Sequence, residues 1–565
     1  MTNKLAIDLE TTGLSFKKDK IVCLGAQIGH SKIYLHRDDF RDEIAFRIAI
    51  REALSDSISK GAELTFHNSK FDMKFLWSLL GKDNLVISHD TMIMAYVLAQ
   101  RPIRLSLDSL ASYYLGLPSW KDDFDLDTIF QDKELLKAYC QTDVETTLKL
   151  ADLLEERLRK ENRWDFYVKL MHACNTILDV EFTGILLDKD ESYKLIDELK
   201  EELEKVDSEL KVIYPKVNWN SPKQVIKLFE ERGLNVIHPL TKKKSSDIKV
   251  IKQNLEKEPS LSKIVQFKEV KKKIGSIESY LTEHSDNWGI INPNFNLAST
   301  STGRLSSSGP NLQQVDKDPR IRSLFRAAAG REFVIGDMAQ IEVRMAAHYS
   351  KDPTLIKMFN DELDFYGTIA VGVLKVNCHP NEVKKKFPKM RDVAKVIGLS
   401  ILYGTGANRL RNEIKQSTGI DYSIDEIRNI IKNYFETFPK LQDLRQGVDK
   451  VLNERGYILN LMGRPVDVKP ADIYMTGVNA LLQSSASDLL LFKQEEVIQK
   501  LEEDTNSHLL ALIHDEVIYE TMLGQGERVK KILTDVMENN KIGDVTLRVP
   551  LKFGCNIGPN WSIKD

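Results

Sequence analysis

The 565-residue sequence has only five cysteines, Cys23, Cys140, Cys174, Cys378 and Cys555, and no two of them form a CxxC pair. That scarcity excludes a disulfide framework and a cysteine-built zinc site, and it points to a reducing compartment. No apolar run reaches the ~18 residues that a membrane span requires, so no membrane partner is expected. Strand-like sequence begins by Lys4, which leaves no room for a signal or transit peptide and implies a cytoplasmic location. An excess of one charge is also missing: 80 Lys and Arg stand against 83 Asp and Glu, net −3. The total neither requires nor forbids a polyanionic partner, so the distribution of charge matters more. Lysines bunch at 242–244, 271–273 and 384–386, and acids at 122–127 and 196–204. No internal repeat or low-complexity tail is present.

The length calls for several domains. Residues 4–9, 21–28 and 64–67 read as strands, with helical patterns around 41–58, 70–80, 90–99 and 133–160, hence one α/β domain of about 155 residues. From about 165 to 285 the chain is rich in Lys and Glu with a 3.6-residue period, which predicts long exposed helices. Residues 291–315 predict irregular loops. A strand, EFVIGD, ends at Asp337 and a helix follows at once; helices dominate 352–455 and 472–503; LLALIHDEVIYE reads as two strands meeting at a tight turn.

In KLAIDLETTGL the strand period of two sets Leu5, Ile7 and Leu9 on one face and Asp8 and Glu10 on the other. Paired carboxylates beside apolar sequence repel each other and lose solvation, and a divalent cation relieves both costs; solvated acids on an edge strand are the plainer alternative. HNSKFDMKFL adds Asp72 at a helix start, and AYCQTDVETTLKL adds Tyr139 and Asp143 at i, i+4 on one helical face. Four acids and a phenol fit a two-metal nuclease in which the phenol orients the attacking water. As an ordered set they resemble the DEDD-type 3′→5′ proofreading exonucleases with tyrosine in the third motif. The resemblance implies that Asp8, Glu10, Asp72 and Asp143 hold Mg²⁺ or Mn²⁺ and that Tyr139 positions the nucleophile.

RDVAKVIGLSILYG sets Arg391, Lys395, Leu399 and Tyr403 at intervals of four along one helical ridge, two cations suited to phosphates and two groups suited to a sugar and a base. GDMAQIEVR puts Asp337 at a strand-to-helix junction, and LIHDEVIY puts Asp515 and Glu516 at a hairpin tip. Phosphoryl transfer needs charge neutralisation and in-line positioning, which such groups supply. The order TGRLSSSGPNLQ, DMAQIEVR, RDVAKVIGLSILYG, NALLQSSASD, HDE and a closing GPNW resembles the family A DNA polymerases from about residue 165 onward.

That resemblance implies an α/β multidomain protein: a ribonuclease H-like exonuclease domain (1–155), then a right-hand polymerase. Its thumb with connecting helices would span 156–290, its palm 291–350 and 451–565, and its fingers 351–450. It implies metal ligation by Asp337, the Met338 carbonyl and Asp515, with Glu516 in support and two Mg²⁺ per active site, Mn²⁺ able to substitute. Arg391 and Lys395 would bind the dNTP phosphates, with Lys395 as proton donor to pyrophosphate; Leu399, Tyr403, Glu342 and Gln340 would complete the nucleotide site. Glu342 with Tyr403 would exclude a ribose 2′-OH. Arg304, Gln313, Asn479, Gln483 and His514 would contact the primer–template minor groove, whose N3 and O2 acceptors occur in every base pair. The lysines at 242–244 and 271–273 would grip duplex backbone. Expected partners are primer–template DNA, dNTPs and a single-stranded 3′ end, for a monomer in a bacterial or phage-infected cell, with a processivity or replisome factor left open.

Three positions depart from the family pattern: Leu399 replaces the usual aromatic residue, Tyr366 a histidine and Met475 an arginine. The family's 5′-nuclease domain is not expected, since the exonuclease strand starts at the first residues. Two rival readings are an exonuclease with a DNA-binding but silent C-terminal half, and a non-enzymatic replisome scaffold.

Overall fold

The computed structural model describes residues 3–82, 85–98, 104–121, 128–238, 241–502, 506–543 and 545–564. The acidic run 122–127 and the side chain of Met475 lie outside the described residues.

The N-terminal unit is built on a five-stranded sheet of order β3-β2-β1-β4-β5: β1 (Lys4–Thr11), β2 (Ile21–Ile28), β3 (Ser31–His36), β4 (Glu63–Phe66) and β5 (His89–Asp90). β1 runs antiparallel to β2 and parallel to β4, so it is the central strand. The helices are α1 (Glu43–Ser59), α2 (Ser69–Leu80), α3 (Thr91–Leu98), α4 (Leu107–Leu115) and α5 (Lys133–Lys160). Leu5, Ile7 and Leu9 enter the main core on one face of β1, while Ala6 on the other packs against Val144 and Leu148 of α5. Both faces are therefore covered, which rules out the solvated-edge alternative for Asp8 and Glu10. Gly25 permits the close approach of α5, since a Cβ there would lie 2.6 Å from the Cys140 sulfur.

Exposed helices were expected from 165 onward, and the first is the exception. α6 (Trp164–Thr183) buries Phe166, Tyr167, Leu170, Met171 and Leu178, and packs on α2, α3, the strand His508–Ile513 and the long helix Ile473–Glu502. It is a spine shared by both halves of the chain. Its Glu181 is buried and bound by Lys70 and Lys74 of α2, so the short apolar stretches between its charges face inward on both sides. α7 (Lys189–Ile213) and the helix Ser262–Ser279 are long helices as expected and pack together, and Val206 and Leu210 anchor a separate small core with Phe229 and Ile264. Residues 291–315 are not wholly irregular, because Asn294–Asn296 pairs with Ser306–Ser308.

The C-terminal half is centred on a four-stranded antiparallel sheet ordered His508–Ile513, Glu516–Met522, Arg331–Met338, Phe553–Gly558. Helices fill 341–455, and Ile473–Glu502 is tied to the sheet by the Tyr519 hydroxyl, which donates to Gln494 Oε1 at 2.8 Å. A buried ion pair ties the halves together. Arg464 donates to Asp488 at 2.7–3.1 Å and to the Tyr96 hydroxyl at 2.9 Å, while Tyr96 donates to the Thr300 carbonyl at 2.7 Å. Loss of one partner of such a pair costs about 3–5 kcal/mol, because the other charge stays buried. No helix among the described residues is long and apolar enough to cross a membrane.

Candidate functional sites

The first site lies where β1, α2 and α5 converge. Asp8 pairs across the sheet with Gly25 and Glu10 with Cys23. Asp72, in the first turn of α2, accepts the Leu9 N–H at 3.1 Å, which fixes that carboxylate against β1. Asp143 of α5 accepts from Trp120 Nε1 at 2.7 Å and lies 3.8 Å from Lys121 Nζ. Tyr139 sits one turn earlier on α5, under the Lys121 ammonium.

Burial, then the charge of Asp143, pushes the Asp8 carboxyl up to about 7. Burial, then Asp8, pushes Glu10 up to about 9. Asp72 is raised by burial and Asp8, and Asp143 by burial against the opposing pull of Lys121. The four acids are thus within mutual electrostatic reach in a poorly solvated space. Asp8 Oδ2 is shielded from solvent and has no hydrogen-bond partner among the described residues. Among the described residues no three His, Cys, Asp or Glu side chains are already gathered into a metal-binding group. The donor set nevertheless fits a hard divalent cation: it is all oxygen, it is mutually repulsive, and one buried oxygen is left unsatisfied. Trp120 and Lys121 escaped the sequence reading, since an aromatic-lysine pair in a loop carries no pattern of its own.

The second site is at one end of the C-terminal sheet. Asp337 pairs directly with Glu516, and the Met338 N–H donates to the Asp515 carbonyl at 3.3 Å. The three acids, 179 residues apart in sequence at the widest, are thereby neighbours. His514 adopts a left-handed backbone (φ 57°) at the turn, and its side chain is exposed. Glu516 is buried and accepts from Trp561 Nε1 at 2.6 Å, which explains the closing GPNW: the tryptophan anchors the carboxylate behind the strand ends. Gln340 starts the next helix in a left-handed conformation (φ 54°), turning the chain sharply after Asp337 and Met338. Carboxylate and carbonyl oxygens at this strand end also suit a hard cation.

The stripe lies beside it. The helix is regular over Pro388–Ser400, three residues short of the expected continuous ridge, but Tyr403 N–H still donates to the Leu399 carbonyl at 2.9 Å and keeps its helical place. The Tyr403 hydroxyl donates to Glu342, and Arg304 meets the other Glu342 oxygen at 2.6 Å. Burial and the Glu342 charge raise the Tyr403 phenol. Arg391 is held by Asp364, with its guanidinium 5.3 Å from the centre of the Tyr366 ring. Lys395 is exposed and pairs with Asp392 at 2.9 Å. Leu399 is half-buried. Gln313 donates to the Leu305 carbonyl, and Arg304, Gln313 and His514 line one small cavity. Asn479 and Gln483 share a face of Ile473–Glu502, and Asn479 Oδ1 is shielded without a hydrogen-bond partner among the described residues, beside a cavity of about 1030 Å³ between the two halves. The lysine runs are partly compensated: Lys244 pairs with Glu230 at 2.6 Å and Lys273 with Asp318 at 2.8 Å.

Residues 189–563 match the family model described as DNA polymerase family A, and residues 1–159 match a 3′-5′ exonuclease model. DNA polymerase I of Borreliella burgdorferi is 28% identical, aligned over 99% of this chain and 62% of the relative. The thermostable DNA polymerase I of Thermus aquaticus is 33% identical over 72% of this chain and 49% of its own length. The DNA polymerase of Escherichia phage T5 is 26% identical over 91% of this chain and 68% of its own. Against the DNA polymerase I of Borreliella burgdorferi, Caldicellulosiruptor bescii and Treponema pallidum, the chain spans about half to three-fifths of the relative's length. The POL domain of Pol1 from M. smegmatis, solved with DNA primer-template and dNTP, shares the fold at a TM-score of 0.85. That likeness covers 100% of this chain and 96% of that one, at 22% identity.

Proposed function

The chain belongs to DNA polymerase family A, and on that premise we propose that it extends a primer on a DNA template with dNTPs and edits the 3′ end with its N-terminal unit. The observation that carries the synthetic half is the meeting of Asp337, Asp515 and Glu516 at one strand end, joined through Glu342 to Tyr403 of the cationic stripe. In this reading residues 1–155 form the exonuclease, 156–290 the thumb, 291–350 and 451–565 the palm, and 351–450 the fingers. Mg²⁺ or Mn²⁺, paired on Asp8, Glu10, Asp72 and Asp143 in one centre and on Asp337, the Met338 carbonyl and Asp515 in the other, would activate the attacking oxygen and neutralise the leaving one.

The chain's own groups do the rest. Glu516, anchored by Trp561, supports the palm acids. Arg391 and Lys395 neutralise the triphosphate, and Lys395 gives the departing pyrophosphate its proton. Leu399 and Tyr403 pack on the nucleoside, with Gln340 completing the pocket. Glu342 and Tyr403 occupy the space of a 2′-OH, which selects deoxynucleotides by exclusion. Leu399 offers an alkyl surface in place of a ring, so dideoxynucleotides are accepted poorly. Arg304, Gln313, Asn479, Gln483 and His514 test pair geometry in the minor groove without reading sequence. In the other centre Tyr139 orients the attacking water. The working form is a cytoplasmic monomer on primer–template DNA, open to a processivity factor.

Primer extension with dNTPs and Mg²⁺ tests the reading. Extension by the wild type, and degradation of a single-stranded 3′ end when dNTPs are withheld, are the expected results. No extension with intact degradation would leave the silent-polymerase alternative, and neither activity would leave the scaffold.

A further inference from the structure

We infer that Asp364 is the positioning residue for Arg391, fixing which edge of the guanidinium is offered to the nucleotide's phosphates. The inference rests on the reading of Pro388–Ser400 as the nucleotide face and deepens it.

Asp364 is itself held firmly. It caps the helix Phe365–Gly372, where its Oδ2 accepts the Gly367 N–H at 2.8 Å, and its own N–H donates to Asn381 Oδ1 at 2.6 Å. The same carboxylate takes Arg391 in a two-point grip, Nε on Oδ2 at 2.8 Å and Nη2 on Oδ1 at 2.9 Å. Both side chains are largely shielded, at 16% and 22% exposure, so solvent competes little for this pair. The Tyr366 ring lies under the guanidinium and limits its swing.

A guanidinium carries its N–H groups in a rigid planar fork. With the Nε–Nη2 edge on Asp364, Nη1 makes no hydrogen bond among the described residues and faces away from that carboxylate. An arginine stem is rotamer-rich, and ordering it before the ligand arrives removes a cost otherwise met on binding. A carboxylate so near a triphosphate could instead act as its rival for Arg391. The two roles have opposite signs: a positioning residue, when removed, weakens nucleotide binding, and a rival, when removed, strengthens it. The bidentate grip on the edge away from Nη1, by a carboxylate anchored to a helix N-terminus, favours positioning.

Single-nucleotide incorporation by the full chain, in Arg391→Ala, Asp364→Asn and the double variant, tests this. Asparagine keeps the shape and a capping oxygen but loses the two-point acceptor. Expected are a rise in KM for dNTP of about tenfold in Asp364→Asn with kcat within about twofold, and a double variant no worse than Arg391→Ala alone. Single-strand degradation by Asp364→Asn stays at the wild-type rate. An unchanged or lower KM overturns the inference. So does a further loss of equal size in the Arg391→Ala background, since that would mean Asp364 serves only its helix. If Arg391→Ala alone leaves KM unchanged, the nucleotide-face reading fails first, a result distinguishable from failure of Asp364 alone.

Discussion

Asp8 and Glu10 of the central strand of one sheet are crowded with Asp72 of α2 and Asp143 of α5, whereas Asp337 and Asp515 stand half-exposed at the open end of another sheet. The first group cannot all ionise without a compensating charge, and its protons are held well above the ordinary carboxylate range. In the second, Glu516 is held in place by a hydrogen bond from an indole N–H, and the two aspartates are half-exposed. Under the proposed two-centre reading, one chain prepares carboxylates for cations in two ways, by electrostatic need or by placing them at a strand end. The two centres share no acid, and a cavity of about 1030 Å³ lies between the halves that carry them.

The largest expected effect tests that separation. Asp515→Ala should lower synthesis by at least about 10³-fold, the scale of losing a charge-stabilising group, while single-strand degradation continues. Loss of both activities in a folded variant would erase the distinction between the centres.

Next comes sugar selection, which only the second centre should govern. Glu342→Ala removes the partner of Tyr403 and Arg304 and should raise ribonucleotide use by about 10–100-fold relative to dNTPs, the range of one removed steric or polar contact. Competitive incorporation of rNTP against dNTP measures it, and unchanged selectivity would contradict the role.

A smaller effect sharpens the electrostatic contrast. Asp8 and Glu10 are raised to about 7 and about 9, against unfolded values near 4. The folded state binds more protons between those limits, so the stability these groups contribute is complete below about pH 4 and is lost as pH rises through 7 and 9. In chelator at pH 8, Asp8→Asn should therefore raise Tm by roughly 2–4 °C, about 1 kcal/mol for a unit of this size, while Asp337→Asn shifts it far less. Calorimetry with and without Mg²⁺ reads both. A fall in Tm for Asp8→Asn would show that its burial is already compensated.

Much of this contrast was legible in the sequence, and its limits have physical causes. The alternation around Asp8 fixed which side chains share a face, but not that β1 is central; only pairing with β2 and β4 decides that. The i, i+4 spacing of Tyr139 and Asp143 held because α5 is long and unbroken. The expectation of exposure failed at α6, a long helix as expected, where composition suggested solvent but packing on α2, α3, the strand His508–Ile513 and the helix Ile473–Glu502 made it core. The meeting of Asp337 with Asp515 depends on register across 178 residues, and no local pattern encodes it. Asp364 carried no signal, because a helix-capping aspartate looks the same whether or not an arginine rests on it.

The most direct test follows labelled dNTP on a blunt primer–template, where net growth is blocked and a proofreading polymerase adds and removes the same nucleotide. The wild type should release dNMP steadily, and Asp8→Ala should release none while still extending a recessed primer at the normal rate. Extension lost together with dNMP release in a folded Asp8→Ala protein would contradict two independently built centres.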